Sequence, residues 1–570
     1  MTFRTRNNFL NTGKSSDRRF GRGSLILLLL LVGLGWLGYS KYISMNLNKA
    51  NAFLVAGDYD SAEEAYGRAA RFPFSKGRGN DGLGALDLLR GDVPAARAHF
   101  QDVLSRKPSG SDTVTAEILG NFIDRGQYES GRIYVDFLDK WRTKSALEPF
   151  ALELVALSLG ARDLAAANAY LKETRPLLQK TERYASLAKM VREYEKEGSF
   201  PVLLDRNGQQ ILSYNVQTGD YDFASPRSFV GWQPEGGVGP LLEKMDAVDR
   251  QNRIQTTLDM NLQRAADQAM VGYKGTMILC DPKSGDILAA YGSEGYSPFL
   301  STFEPGSVIK VLTYGMYLEG GGDVSLHAPK NYESSVRISD KIFWDWTRQG
   351  QLDTVEQGMA VSCNLMFAAM GQELSWPGLK KGFTRIFDGK NKPGFWGDAS
   401  FGKIKSEPQD AWDLGRIAIG LDLMETSVLG LSLIPSSVAN GGAPMVPRLF
   451  ASYANIEGKI YKENKNESMG RFFSAPVATK LKASMSAAVT EKRGTARNAQ
   501  VPYVETAMKT GTSGEKPFNS VMVGLFPKDN PKVTFALFLH NGGKCETHGA
   551  RVAKRLLDQI KAFAPEYLEN

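Results

Sequence analysis

Ser307 and Lys310 stand three residues apart in EPGSVIK, between a Pro305-Gly306 turn and the apolar run VLTYGMYL. Proline and glycine break what precedes, and the periodic run that follows predicts a helix. Ser307 then falls in the first turn of that helix, with Lys310 one turn on along the same face. A serine hydroxyl is a poor nucleophile until a base lies within hydrogen-bond reach. A lysine becomes such a base when burial or other cations lower its pKa. The helix N-terminus adds backbone N–H groups that favour negative charge beside the serine.

Alone, this spacing means little, because S-x-x-K arises by chance about twice in a chain of this length. Two later motifs give it weight: Ser362-Cys363-Asn364 in AVSCNLMF, and Lys509-Thr510-Gly511-Thr512 in AMKTGTSG. With the ordered trio S-x-x-K, S-x-N, K-T-G, the chain resembles the transpeptidase domain of penicillin-binding proteins. IQTTLDMNLQRAADQA, GTMILCDPKSGDILAAYG, AIGLDLMETSVLGLSLIPSSVANGG and RGTARNA extend the resemblance over about residues 250 to 545. Leu421 and Ser427-Val428-Leu429 depart from the usual pattern without touching the trio.

The resemblance implies roles. Ser307 is the nucleophile and Lys310 its base. Ser362 relays protons to the leaving amine, and Asn364 holds Lys310 and the substrate amide. The backbone N–H groups of Ser307 and Thr512 form the oxyanion hole. Read as residues, Lys509 supplies positive charge that lowers proton affinity at Lys310 and attracts a terminal carboxylate. Thr510 and Thr512 offer that carboxylate hydroxyls, and Gly511 lets a substrate backbone approach. A merely solvated Lys310 fits poorly beside Val308, Ile309, Val311 and Leu312. Cys363 is expected to point into the core, with no histidine nearby to make it a nucleophile. Phe343, Trp344 and Trp346 either line the cleft or pack in the core, the commoner fate.

Strand-like runs at both ends of this region, GTMILCD and GDILAAYG, then VMVGLFP and KVTFALFLH, enclose a helical middle. That order predicts an α+β transpeptidase domain over 251–570, and the family adds a central antiparallel sheet. Before it, 198–250 reads as a small β-rich pedestal, with Asn207-Gly208 as a hairpin signal and a glycine-rich loop GWQPEGGVGP. It is too short for a glycosyltransferase domain, so the resemblance implies a monofunctional, class B-like protein.

Residues 46–197 are helical in pattern. Segments beginning at Gly57, Gly91, Gly126 and Gly160 recur at about 34 residues, each with a small residue five on (Ala62, Ala96, Gly131, Ala165). The period resembles tetratricopeptide repeats and predicts an all-α solenoid, either a surface for a protein partner or a stalk. Residues 1–23 are a basic tail, expected to be cytoplasmic. The uncharged run Gly23–Ser40 predicts a transmembrane signal anchor over 24–43, with the rest of the chain outside. A signal peptide cut at Gly38-Tyr39-Ser40 is the alternative.

A chain of 570 residues is too long for one ordinary domain, so a multidomain protein is expected. A net charge of +7, partly in the tail, does not argue for nucleic acid. Three cysteines and four histidines without ligand spacing give no disulfide framework and no metal site, and no cofactor is expected. The resulting expectation is a serine D,D-transpeptidase of the bacterial inner membrane, its catalytic domain periplasmic. It would act on peptidoglycan stem peptides, be acylated by β-lactams, and work beside a membrane glycosyltransferase. The rivals are a D,D-carboxypeptidase or β-lactamase, in which water is the acceptor, and a non-catalytic sensor or scaffold working through the repeats.

Overall fold

The computed structural model describes residues 22–104, 112–141, 150–178, 180–223, 245, 247–387 and 399–569. The basic tail up to residue 21 and the loop GWQPEGGVGP lie outside the described residues. The chain forms two compact units. One runs to Phe122 and includes Ser130–Glu153; the other is Ile123–Glu129 with everything from Leu154 on.

The first unit is helical. It opens with α1 (Arg22–Ala56), followed by helices Tyr59–Ala70, Lys76–Arg90, Val93–Leu104 and Tyr128–Trp141. Gly57 and Gly91 turn between helices at φ 80° and 83°, a region where glycine lacks the Cβ penalty. Asp58 and Asp92 then cap the next helices, accepting from Ser61 N at 3.2 Å and Ala95 N at 3.0 Å. Helix Lys76–Arg90 carries several glycines because neighbouring rings lie on it: a Cβ at Gly82 would strike Tyr66, and one at Gly84 would strike Phe100.

The expected anchor falls on α1. Among the described residues no helix is long and apolar enough to cross a membrane. The side chains of 22–25 and 28, within or beside the expected span, are not among those described.

The second unit continues the recurring turns, with one change of register. Gly126 takes φ 64°, but in the fourth segment the turn is made by Arg162 at φ 63°, two residues after the Gly160 that begins it. Asp163 then caps, accepting from Ala166 N at 2.9 Å. Gly160 is instead small because the Tyr128 ring lies against it.

The pedestal is a six-stranded sheet that draws on three parts of the chain. Its strand order is 460–463, 450–454, 253–256, 199–204, 210–215, 220–223. The hairpin signal is borne out: Gly208 turns at φ 82° between the adjacent antiparallel strands 199–204 and 210–215.

The central sheet has five antiparallel strands: β1 (Lys274–Cys280), β2 (Ile287–Gly292), β3 (Ala507–Ser513), β4 (Asn519–Phe526) and β5 (Val533–His540). Their order is β3-β4-β5-β1-β2, which leaves β3 at an edge. Both faces are covered, so β1, β2, β4 and β5 read as largely apolar runs rather than alternating ones, while edge strand β3 carries the polar K-T-G residues. Ile278, Val521, Val523, Ala536 and Phe538 join one core. Met277, Leu279, Met522, Leu537 and Leu539 join the other. Helix α2 (Met260–Met270) and the C-terminal helix lie in the second core. In the first lie α3 (Lys310–Glu319), α4 (Asn364–Phe387, kinked at Ser375) and α5 (Val428–Ala439).

Candidate active site

Ser307 lies in a 3-10 turn, Gly306–Ile309, and Lys310 opens α3 directly behind it. Two glycines make the turn. Gly306 has φ 61° and donates its N–H to the Gly420 carbonyl at 2.9 Å; Gly420 has φ 83°. A Cβ at Gly420 would strike the Gly306 carbonyl. Gly511, on edge strand β3, has a related role. A Cβ there would lie 2.9 Å from the Pro305 carbonyl oxygen and 3.2 Å from Ser307 N. The close approach Gly511 permits is therefore that of the chain's own serine turn, where the sequence suggested a substrate backbone.

The three motifs meet. Lys310 Nζ donates to the Ser362 carbonyl at 2.7 Å, to Asn364 Oδ1 at 2.7 Å and to Ser362 Oγ at 3.2 Å. Lys509 Nζ donates to the same Ser362 Oγ at 2.9 Å and to the Thr510 carbonyl at 2.7 Å. Ser362 takes φ 56°, the left-handed region a non-glycine residue enters only when its surroundings demand it. There its hydroxyl sits between the two amines. Ser307 Oγ makes no hydrogen bond among the described residues; it faces a cleft of about 120 Å³ shared with Ser362, Thr510, Gly511 and Thr512.

Both lysines are wholly buried without a carboxylate in contact. Burial pushes the Lys310 amine down to about 8, against the pull of Asp345 and Cys363. Lys509 is held well below its ordinary value, first by burial and then by Lys310. Both amines are therefore held down by burial, and the Ser362 hydroxyl lies between them. Lys310 has three acceptors and Asp345 nearby, and Lys509 has two acceptors and a cation for a neighbour.

Asp345, which carried no motif signal, holds the second motif in place. Its Oδ2 accepts from Asn364 N at 2.9 Å, Cys363 Sγ at 3.2 Å and Leu365 N at 3.4 Å, so it satisfies the open first turn of α4. Its Oδ1 accepts from Trp346 N at 2.8 Å. Cys363 is buried and its thiol is pushed up by that burial, which removes it as a nucleophile. The three aromatics divide: Phe343 is in the core, Trp344 is exposed, and Trp346 lines the cleft. Thr510 Oγ1 donates to Thr495 Oγ1 at 2.7 Å, which gives the segment RGTARNA its place beside K-T-G. Thr512 Oγ1 accepts from Cys545 N at 3.2 Å. Phe518, Lys544 and Glu546 complete the cleft, and no sequence pattern pointed to them.

Comparison with known proteins agrees with this geometry. The profile of the penicillin binding protein transpeptidase domain matches residues 275–562. The probable peptidoglycan D,D-transpeptidase PbpC of Pseudomonas aeruginosa is 21% identical over 401 residues, 63% of this chain and 67% of that one. The peptidoglycan D,D-transpeptidase PbpA of Mycolicibacterium smegmatis is 25% identical over 363 residues, 55% of this chain and 70% of that one. Penicillin-binding protein A of Mycobacterium tuberculosis, solved as its penicillin G acyl-enzyme, superposes with a TM-score of 0.53 at 19% identity, covering 64% of this chain and 99% of that one. With its family profile matched and its three motifs converging on one cleft, this chain belongs to the penicillin-binding protein transpeptidase family and is class B-like.

Proposed function

We propose that the protein is a serine D,D-transpeptidase that cross-links peptidoglycan stem peptides and is acylated by β-lactams. The observation that carries this is the single hydroxyl of Ser362, 3.2 Å from one buried amine and 2.9 Å from the other, beside an unengaged Ser307. A stem peptide ending in D-Ala-D-Ala lies along the free edge of β3, its terminal carboxylate at Lys509, Thr510 and Thr512. That negative charge favours the charged form of Lys509, and the Lys509 ammonium disfavours a proton on Lys310. The arriving substrate thereby favours the neutral base.

Ser307 Oγ attacks the penultimate carbonyl carbon and its proton passes to Lys310. The oxyanion is held by the N–H groups of Ser307 and Thr512. The carbon–nitrogen bond breaks, the leaving D-alanine nitrogen takes a proton through Ser362, and an ester to Ser307 remains. An amine of a neighbouring stem attacks that ester, gives up its proton by the same route, and frees Ser307. The test is incubation with a D-Ala-D-Ala stem peptide and an acceptor stem. Release of D-alanine with a cross-linked product, both lost in Ser307→Ala, is expected. Release of D-alanine without cross-linking would instead make the protein a carboxypeptidase.

We further read α1 as the inner-membrane anchor that leaves the catalytic unit periplasmic. Its support is the uncharged run 23–40, together with Ile26, Leu27, Leu29, Leu30, Leu31, Val32, Leu34 and Leu37 on α1, each more than half exposed. The helices that follow are read as repeats, serving either as a surface for a protein partner or as a stalk. The recurring Asp-capped turns at 58, 92 and 163 support that reading.

A further inference from the structure

The loop 71–75, between helices Tyr59–Ala70 and Lys76–Arg90, carries Phe72, Pro73 and Phe74. It is a braced turn. Phe72 N donates to the Ala69 carbonyl at 3.3 Å, and Ser75 N donates to the Phe72 carbonyl at 3.1 Å. Ser75 is buried, and its Oγ donates to the Ala69 carbonyl at 2.6 Å. With Ser75 turned inward, Phe74 is turned out and is 74% exposed. A fixed turn that presents a phenyl ring to its surroundings marks a contact surface rather than a core.

The surface does not end at the loop. The Phe74 ring meets Trp36 of α1 edge-on, centroids 5.2 Å apart, and Tyr39 at 6.5 Å. Phe72 meets Tyr39 at 5.7 Å and Tyr42 at 6.3 Å. The loop thus stands beside α1 where the helix changes character. Leu34, Trp36 and Leu37 are more than half exposed, whereas Leu47, Ala50 and Leu54 are buried in the helical unit.

Depth follows from these contacts. With α1 read as the anchor, Lys41, the first charge after the uncharged run, marks the headgroup level. Trp36 lies five residues before it, about 7 to 8 Å further into the bilayer along the helix axis. A ring packed on Trp36 is carried to a similar depth, within the roughly 5–10 Å that interfacial apolar groups occupy. Charge agrees. Segments 36–46 and 71–78 hold Lys41, Arg71, Lys76 and Arg78 and no acidic residue. Lys76 is shared with Asp102 at 3.3 Å, but Lys41 and Arg71 are exposed beside the rings, placed for lipid phosphates.

We propose that loop 71–75 is a second membrane contact, in which Phe74, backed by Phe72, enters the headgroup–acyl boundary of a phospholipid bilayer beside α1. The proposal rests on the reading of α1 as the anchor. Two points of attachment hold the first helical unit on the bilayer, where α1 alone would let it swing.

The experiment uses the full chain in vesicles of phosphatidylethanolamine and phosphatidylglycerol, with a bimane fluorophore on one introduced cysteine. The native Cys280, Cys363 and Cys545 are buried and stay unlabelled. Leu34→Cys reports on the uncharged run, Pro73→Cys on the loop, and Asp60→Cys on the far end of helix Tyr59–Ala70. Arg71→Cys gives a second loop position that leaves Pro73 in place. Quenching by nitroxide-labelled lipid is compared with quenching by aqueous iodide. Positions 34, 71 and 73 are expected to be quenched severalfold more by lipid, and position 60 more by iodide. Adding Phe74→Asp should lower the lipid-to-iodide ratio at position 73 severalfold and leave position 34 unchanged, while Phe74→Trp should preserve both. Lipid quenching at position 34 with iodide quenching at 71 and 73 overturns the proposal and leaves the anchor standing. A ratio at position 73 untouched by Phe74→Asp also overturns it, because the loop would then lie near the bilayer without entering it. Iodide quenching at position 34 would remove the anchor reading and this inference with it.

Discussion

At the scale of single residues, the two lysines are alike in burial and different in company. Lys310 is the base and must be neutral to act, so acylation by penicillin should rise with pH as Lys310 deprotonates through about 8 and level off above it. A rate flat from pH 6 to 9 would contradict this. Replacing Lys310 by Arg keeps charge and removes a usable base, because guanidinium does not deprotonate. Its second-order acylation constant should fall about 100-fold or more. Lys509→Arg keeps the charge that meets a carboxylate and should retain more of the rate; equal damage from both substitutions would remove the division of roles. The motif residues were legible because their chemistry fixes residue type and spacing together. Asp345 and Thr495 were not, since each acts through a side-chain contact that no local spacing encodes.

At the scale of elements, the site depends on two helix starts. The first turn of α4 is held by Asp345, whose carboxylate accepts from Asn364 N and Leu365 N. Asp345→Ala leaves these N–H groups without their acceptor and should cost about 1–3 kcal/mol of stability. Asn364 would then hold Lys310 less firmly, so acylation should slow as well; an unchanged thermal midpoint and rate would refute the bracing role. The turn before α3 depends on Gly420. Gly420→Ala forces φ 83° on a residue with a Cβ that strikes the Gly306 carbonyl, so Ser307 should shift and acylation should drop even where the protein still folds. Wild-type acylation by a folded Gly420→Ala would show the turn to be tolerant. Helices and strands were legible from apolar periodicity. In the fourth segment of the helical region Gly160 is small for the sake of Tyr128, while Arg162 makes the turn. A glycine in sequence does not say which of its two uses applies.

At the scale of the whole molecule, the described chain divides into two compact units, and the candidate site lies wholly in the second. The α+β class was readable from four apolar runs at the two ends of the region, and the antiparallel sheet from the family resemblance. The six-stranded pedestal was only half readable, because its strands 450–454 and 460–463 come from about 200 residues downstream of strand 253–256, which they extend. Units with separate cores are expected to melt in separate steps, and a ligand stabilises only the unit that binds it. Calorimetry before and after penicillin treatment should therefore move one transition and leave another in place. A single transition that moves as a whole would mean the two units fold as one.

The central claim is that Ser307 is the residue acylated. Labelling the full chain with a fluorescent penicillin, followed by mass mapping of the modified peptide, tests it directly. The label is expected on the peptide containing Ser307 and is expected to vanish in a folded Ser307→Ala variant. Label on Ser362 or Cys363, or label that survives Ser307→Ala, would contradict the account.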